Sequence, residues 1–120
     1  MPLHHFDDLE IWKRSSRLAV SVLELIDPVK LYALRDQMAR SCISVPSNIA
    51  EGAARGGAVE FSRFLHIALG SLAEVETQIE LSRDLGYTTD IDPLLTLVGE
   101  IRMLTIGLIR KLSKRVTRDE

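Results

Sequence analysis

Four long apolar periods, each ended by a few turn-forming residues, constrain this 120-residue chain more than any other feature. Apolar residues return every three to four positions over residues 6–26, 31–54, 58–85 and 92–116, and the breaks fall at Asp27-Pro28, Gly56-Gly57 and Gly86-Tyr87-Thr88-Thr89-Asp90. Such periods predict amphipathic helices, and links this short make consecutive helices antiparallel neighbours. The expected fold is all-α, an up-down-up-down four-helix bundle, and residues 1–120 are expected to form one domain around one core. Asp7, Asp8 and Glu10 are expected in the first turn of helix 1, where carboxylates favour the positive end of the peptide dipoles. Gly86 suits the left-handed residue that closes helix 3, and Asp92 with Pro93 reads as the N-cap and first turn of helix 4.

Helical rotation assigns the faces. Helix 3 gathers Phe61, Phe64, Leu65, Ala68, Leu72, Val75, Ile79 and Ser82, and helix 4 gathers Leu94, Leu97, Val98, Ile101, Leu104, Leu108 and Leu112. On helix 1, Leu9, Trp12, Ala19, Leu23 and Ile26 are expected to face the bundle, which leaves Ile11, Leu18 and Leu25 as a second seam spaced by sevens. Helix 2 has a further apolar flank in Ala39, Ile43, Pro46 and Ala50, and helix 4 has one in Leu95, Met103 and Ile106. A single bundle needs one stripe per helix, and large apolar patches are rare on monomers, so the surplus predicts a homo-oligomer with these seams packed between subunits.

Composition narrows the setting. With 46% apolar residues, no run long enough to span a bilayer, and no basic-then-apolar start, the chain is expected to be neither membrane-bound nor secreted. One cysteine, Cys42, cannot form an internal bridge, and a cytoplasmic location is the expectation. The formal net charge of −2 argues against a globally basic nucleic-acid binder. The charge is uneven, however: Arg102, Arg110, Lys111, Lys114, Arg115 and Arg118 precede only Asp119 and Glu120 at the C-terminal end. Five of them, Arg110, Lys111, Lys114, Arg115 and Arg118, are candidate contacts to a phosphate backbone. They also complement the dipole at a helix C-terminus, which needs no ligand.

Residues 37–57 are unusual for a helix because Pro46 lies inside the apolar period, where proline removes a backbone bond and is expected to kink the chain. Gln37, Arg40, Ser44, Asn48 and Glu51 form a narrow polar stripe beside Leu34, Met38, Val45 and Ile49. Polar groups so near a core need partners, which Arg63 and Glu74 on helix 3 are placed to supply. A structural network centred on Asn48 is the leading reading. The alternatives are a small-ligand site at Arg40, Asn48 and Glu51, or a phosphate pocket of Arg40, Arg55 and Arg63 near the glycines.

Three strings carry a resemblance: Phe6-x-x-Leu9-x-x-Trp12; Gln37-x-x-Arg40 followed by Ser44-Val45-Pro46-Ser47-Asn48-Ile49-Ala50-Glu51-Gly52; and Phe61-x-x-Phe64-Leu65-x-Ile67-Ala68-x-Gly70-Ser71-x-x-Glu74. Across nearly its whole length the chain resembles the bacterial "four helix bundle protein" family, first recognised as reading frames in intervening sequences of 23S ribosomal RNA genes. The resemblance implies an antiparallel bundle assembling into a ring, typically a pentamer, with no enzymatic activity established. A distant relative, the accessory protein of diversity-generating retroelements, is a pentameric barrel that binds a reverse transcriptase and nucleic acid. This chain departs from it in being acidic overall.

Catalytic patterns are lacking in the sequence. A di-iron bundle needs Glu-x-x-His, but Arg63 stands three residues before His66. His4 and His5 read as a solvated pair, Glu74, Glu76 and Glu80 as carboxylates at diverging angles, and Cys42 as a small packed hydrophobe. Gly52 and Gly57 have the spacing of a phosphate loop, but Ala58 stands where lysine is required. The expected protein is therefore a non-enzymatic homo-oligomeric scaffold or adaptor with no cofactor and no metal. The first alternative is an RNA- or DNA-associated protein, and the second is a small-ligand binder.

Overall fold

A computed structural model describes the backbone of residues 6–119 and the side chains of residues 6–116; His4, His5 and the Arg118 side chain lie outside the described residues. A 3-10 turn at Phe6–Asp8 leads into α1 (Glu10–Leu25), α2 (Tyr32–Ala54), α3 (Ala58–Asp84) and α4 (Asp92–Asp119), with no strand among the described residues. Each helix packs against its sequence neighbours and α4 closes on α1, so the four form an antiparallel bundle.

The helix ends depart from expectation in two places. Asp7 and Asp8 lie in the 3-10 turn, because Leu9 adopts an extended conformation (φ −77°, ψ 130°) that ends the turn and starts α1 at Glu10. The Phe6 ring meets Trp12 edge-on at 5.2 Å, which holds this entry against the helix. Asp92 is already helical and lies in the first turn of α4, where the Leu95 amide donates to the Ile91 carbonyl. The end of α3 is as expected: Gly86 has φ +84°, its amide donates to the Arg83 carbonyl, and the Tyr87 amide donates to the Ser82 carbonyl. These bonds make a Schellman closure, which only a residue at ease with positive φ completes without strain.

Helix α2 is continuous through Pro46. Proline has no amide to offer the Cys42 carbonyl. Side chains reinforce the flanking turns: Ser47 Oγ donates to the Ile43 carbonyl at 2.8 Å, and Asn48 Nδ2 donates to the Ser44 carbonyl at 2.8 Å.

Leu18, Val22, Met38, Val45, Ile49, Leu65, Leu72, Ile79, Val98 and Ile101 form the fully buried centre of the core. This corrects the face of α1 in part: Ala19 and Ile26 are buried as expected, and Leu9 and Trp12 pack against the core. Ile11 and Leu18 are buried in the chain's own core and Leu25 packs against it, whereas Leu23 is exposed and Trp12 is only partly covered. Ile11 and Leu18 are therefore not available to cover another subunit. Ser15 is compatible with this rotation: it is fully buried, and its hydroxyl donates to the Trp12 carbonyl at 3.1 Å and so needs no outside partner. Thr105 does the same on α4, bonding the Ile101 carbonyl at 2.7 Å, and this leaves Leu104 exposed where a core position was expected.

Gly52 marks a close approach of α2 to α3. A Cβ there would lie 2.7 Å from Phe64 Cβ and 3.0 Å from the Phe61 ring. Gly52→Ala should therefore lower stability by about 1–2 kcal/mol, overpacking outweighing the helix-propensity gain. That loss lowers Tm by roughly 4–8 °C. Gly107→Ala, where a Cβ meets nothing within 4 Å, should raise Tm instead; thermal melts followed by circular dichroism check both.

Candidate functional site

The polar stripe of α2 and its counterpart on α3 meet along a half-buried seam. Ser41 Oγ donates to Glu74 Oε2 at 3.2 Å and accepts from Gln78 Nε2 at 3.1 Å. One turn on, the Ser44 and Ser71 hydroxyls share a 2.8 Å bond, and Asn48 Nδ2 donates to Ser44 Oγ at 2.9 Å. Ser82 Oγ extends the seam, donating to the Gln78 carbonyl at 2.9 Å and lying 3.2 Å from Met38 Sδ. Ser44, Asn48 and Glu74 sit where the sequence placed them. Gln37 and Arg40 do not join; both are exposed, with no polar partner among the described residues. Ser41, Ser71 and Gln78 were missed, although each lies one helical turn from a residue that was named.

At the α2–α3 corner the charges form a separate cluster. Arg55 pairs with Glu51 at 2.9 Å and approaches Glu60 at 3.8 Å, while Arg63 pairs with Glu60 at 3.0 Å. Both guanidiniums lie over the Phe64 ring, Arg63 at 4.6 Å and Arg55 at 5.1 Å from its centroid. These arginines are occupied by carboxylates and an aromatic face, and Arg40 stands apart from them, so the phosphate pocket expected from the three together is not assembled. The hydrogen bond from Arg63 holds the Glu60 carboxyl below its ordinary range, and the same bond raises Arg63.

A third surface is apolar. Cys42 Sγ lies 3.8 Å from the Ala19 carbonyl, which sets α1 against α2. In this register helical rotation brings Trp12, Val20 and Leu23 of α1 to the same outer flank as Ala39, Ile43, Pro46 and Ala50 of α2. Val20 is 56% exposed and Ile43 49%. On the opposite side of the bundle, Arg102 bonds Glu76 at 2.8 Å, and the neighbouring flank of α4 carries Leu95, Ile106 and the 77%-exposed Met103.

The fourth feature is the end of the bundle where the α2–α3 loop, Leu9 and the last turns of α4 converge. A cavity of about 310 Å³ opens there, lined by Leu9, Ala53, Phe61, Leu108 and Leu112, by Gly52 and the Gly56–Ala58 loop, and by Lys111 and Arg115. Arg110, Lys111, Lys114 and Arg115 are all exposed, and none pairs with a carboxylate among the described residues.

Other reactive groups are tied down locally. His66 Nδ1 lies 2.8 Å from the Ser62 carbonyl one turn back, and Glu76 is held by Arg102. Burial pushes the Cys42 thiol up, away from the thiolate that nucleophilic chemistry needs. No group of three or more histidine, cysteine or carboxylate side chains is arranged to hold a metal among the described residues.

The lowered Glu60 carboxyl has a pH consequence. Its contribution to stability is complete above the ordinary carboxylate range and disappears as pH falls through the lowered value in the folded state. Glu60→Gln should therefore flatten part of the acid limb of the stability profile and leave a constant, small deficit at neutral pH, as measured by urea unfolding across a pH series.

No curated protein matches the chain. Residues 7–107 match a family described as 23S rRNA-intervening sequence protein, a span that takes in the 3-10 turn from Asp7, α1 to α3 and most of α4. Four helices in this order, the Ser44–Gly52 string folded into the α2–α3 seam and crossing, and a family match over most of its length establish that the chain belongs to the 23S rRNA-intervening sequence protein family.

Proposed function

We propose that this protein is a non-enzymatic, cytoplasmic scaffold or adaptor that works as a closed homo-oligomer. The observation that carries the reading is the apolar flank of the α1–α2 hairpin, where Trp12, Val20, Leu23, Ala39, Ile43, Pro46 and Ala50 lie together. Leu95, Met103 and Ile106 lie on the other side of the bundle. Two different apolar faces on opposite sides suit a heterologous contact, in which one face of each subunit covers the other face of the next, and such contacts close into a ring when the rotation between neighbours divides the full turn. A pentamer is the ring size proposed from the family resemblance. The ring would act by display, presenting one surface several times over to a protein or nucleic-acid partner.

The first test is solution mass. Val20→Glu with Ile43→Glu places charge on exposed positions, so the helical content should stay intact while the species observed by light scattering falls to the mass of one subunit. An unchanged mass removes the α1–α2 face from the interface, and a wild type that is already a single subunit overturns the assembly.

A second reading is favoured by Arg110, Lys111, Lys114 and Arg115 of α4, which pair with no carboxylate among the described residues. Arg110, Lys111, Lys114, Arg115 and Arg118 would contact the phosphate backbone of RNA or DNA, in keeping with a family whose description refers to 23S rRNA. Filter binding of a structured RNA should then weaken steeply between low and moderate salt. Arg110→Gln with Lys114→Gln should weaken it further. Absent or salt-insensitive binding overturns this reading.

A further inference from the structure

The end cavity combines features that neither the assembly nor the seam requires. Its lining side chains are of two kinds. Leu9, Ala53, Phe61, Leu108 and Leu112 give an apolar wall, and Lys111 and Arg115 stand one helical turn apart on α4 as the charged groups. No carboxylate among the described residues lines the cavity, and Glu51 and Glu60, on either side of the glycine loop, are already paired with Arg55 and Arg63. Lys111 and Arg115 thus pair with no carboxylate among the described residues and stand beside a concave apolar surface. The loop wall adds backbone, because Gly57, the residue that caps α3, offers no side chain. A volume of about 310 Å³ lies at the small end of ligand sites.

The void has a structural origin. Helix α1 starts only at Glu10, whereas α4 continues to Asp119, so at this end Leu9 and the 3-10 turn stand where a full helix would otherwise fill the fourth corner. Gly52 and the Gly56–Gly57 loop contribute no side-chain bulk on the facing wall.

We propose that this cavity is a binding site for a small amphipathic anion. Lys111 and Arg115 would hold a carboxylate or phosphate head group, and a short apolar body would lie against Leu9, Phe61, Leu108 and Leu112. The lining offers no side-chain amide, hydroxyl or carboxylate to read the edge of a nucleobase, so an apolar body fits it better than a nucleotide does. Charge-assisted bonds to the head group and burial of the tail act together, and either part alone would bind much more weakly.

Isothermal titration calorimetry with octanoate and octyl phosphate tests the site on the whole protein, with acetate, inorganic phosphate and octanol as probes that lack the tail or the charge. The expected result is saturable binding of octanoate, octyl phosphate or both at one site per chain, at least about tenfold tighter than any of the three partial probes. Lys111→Gln with Arg115→Gln should weaken binding by about tenfold or more, and Arg110→Gln with Lys114→Gln, equal in charge but outside the cavity, should not. Ala58→Leu, which adds bulk at the mouth, should block binding while Lys111 and Arg115 remain. The proposal is overturned if neither amphipathic probe binds saturably, if the partial probes bind as tightly, or if the two double variants weaken binding equally. The last outcome would mark a diffuse basic surface of the kind a nucleic acid contacts.

Discussion

The closeness of α2 to α3 at Gly52 is the constraint on which the rest of this bundle depends. With no Cβ at that position, the α2 backbone lies directly against Phe61 and Phe64. From this crossing outward along the helix pair, the Ser44–Ser71 and Ser41–Glu74 bonds fall within reach, and toward the loop Phe64 lies under Arg55 and Arg63. A wider spacing would lengthen hydroxyl contacts that are effective only near 3 Å. It would also expose the seam to water, which competes for each bond.

Around that fixed pair the other two helices are held differently. Helix α1 packs on α2 mainly through apolar contacts among Leu18, Ala19, Val22, Met38 and Cys42. Helix α4 adds an ionic bridge on each side, Arg14 to Glu100 at 2.7 Å and Arg102 to Glu76 at 2.8 Å. Such partly exposed pairs contribute little stability, about 0–1 kcal/mol each, but they favour one rotation of α4 over others. The rotation matters because it turns Leu108, Lys111 and Arg115 toward the end cavity and Met103 toward the outside.

The helices, their order and the cores of α2 and α3 were legible because long amphipathic periods dominate any local preference. The full inner face of α1 was not. Of the expected stripe Leu9, Trp12, Ala19, Leu23 and Ile26 only Leu23 is exposed, and the second seam, Ile11, Leu18 and Leu25, lies in or against the core as well; Ser15 fits between them, a residue that counts as polar in a sequence yet behaves as a small core group once its hydroxyl bonds its own helix. Thr105 misled in the same way by displacing Leu104. In the seam, Ser44, Asn48 and Glu74 could be named because their spacing is local, but Arg40 could not be separated from them without the actual crossing angle. The cations beside the glycine loop were misassigned for a topological reason: Lys111 and Arg115 reach that loop from the far end of the chain, and no periodicity reports a contact across more than fifty residues.

Pro46 sets two properties of α2 against each other. A residue with an amide there would supply the donor that the Cys42 carbonyl lacks and would strengthen the helix interior by up to about 3 kcal/mol. It would also replace a rigid ring on the outer flank of the α1–α2 hairpin by something smaller or more mobile. The chain thus gives up cohesion within one helix at a position where a stiff apolar ring stands half-covered on the flank of the bundle.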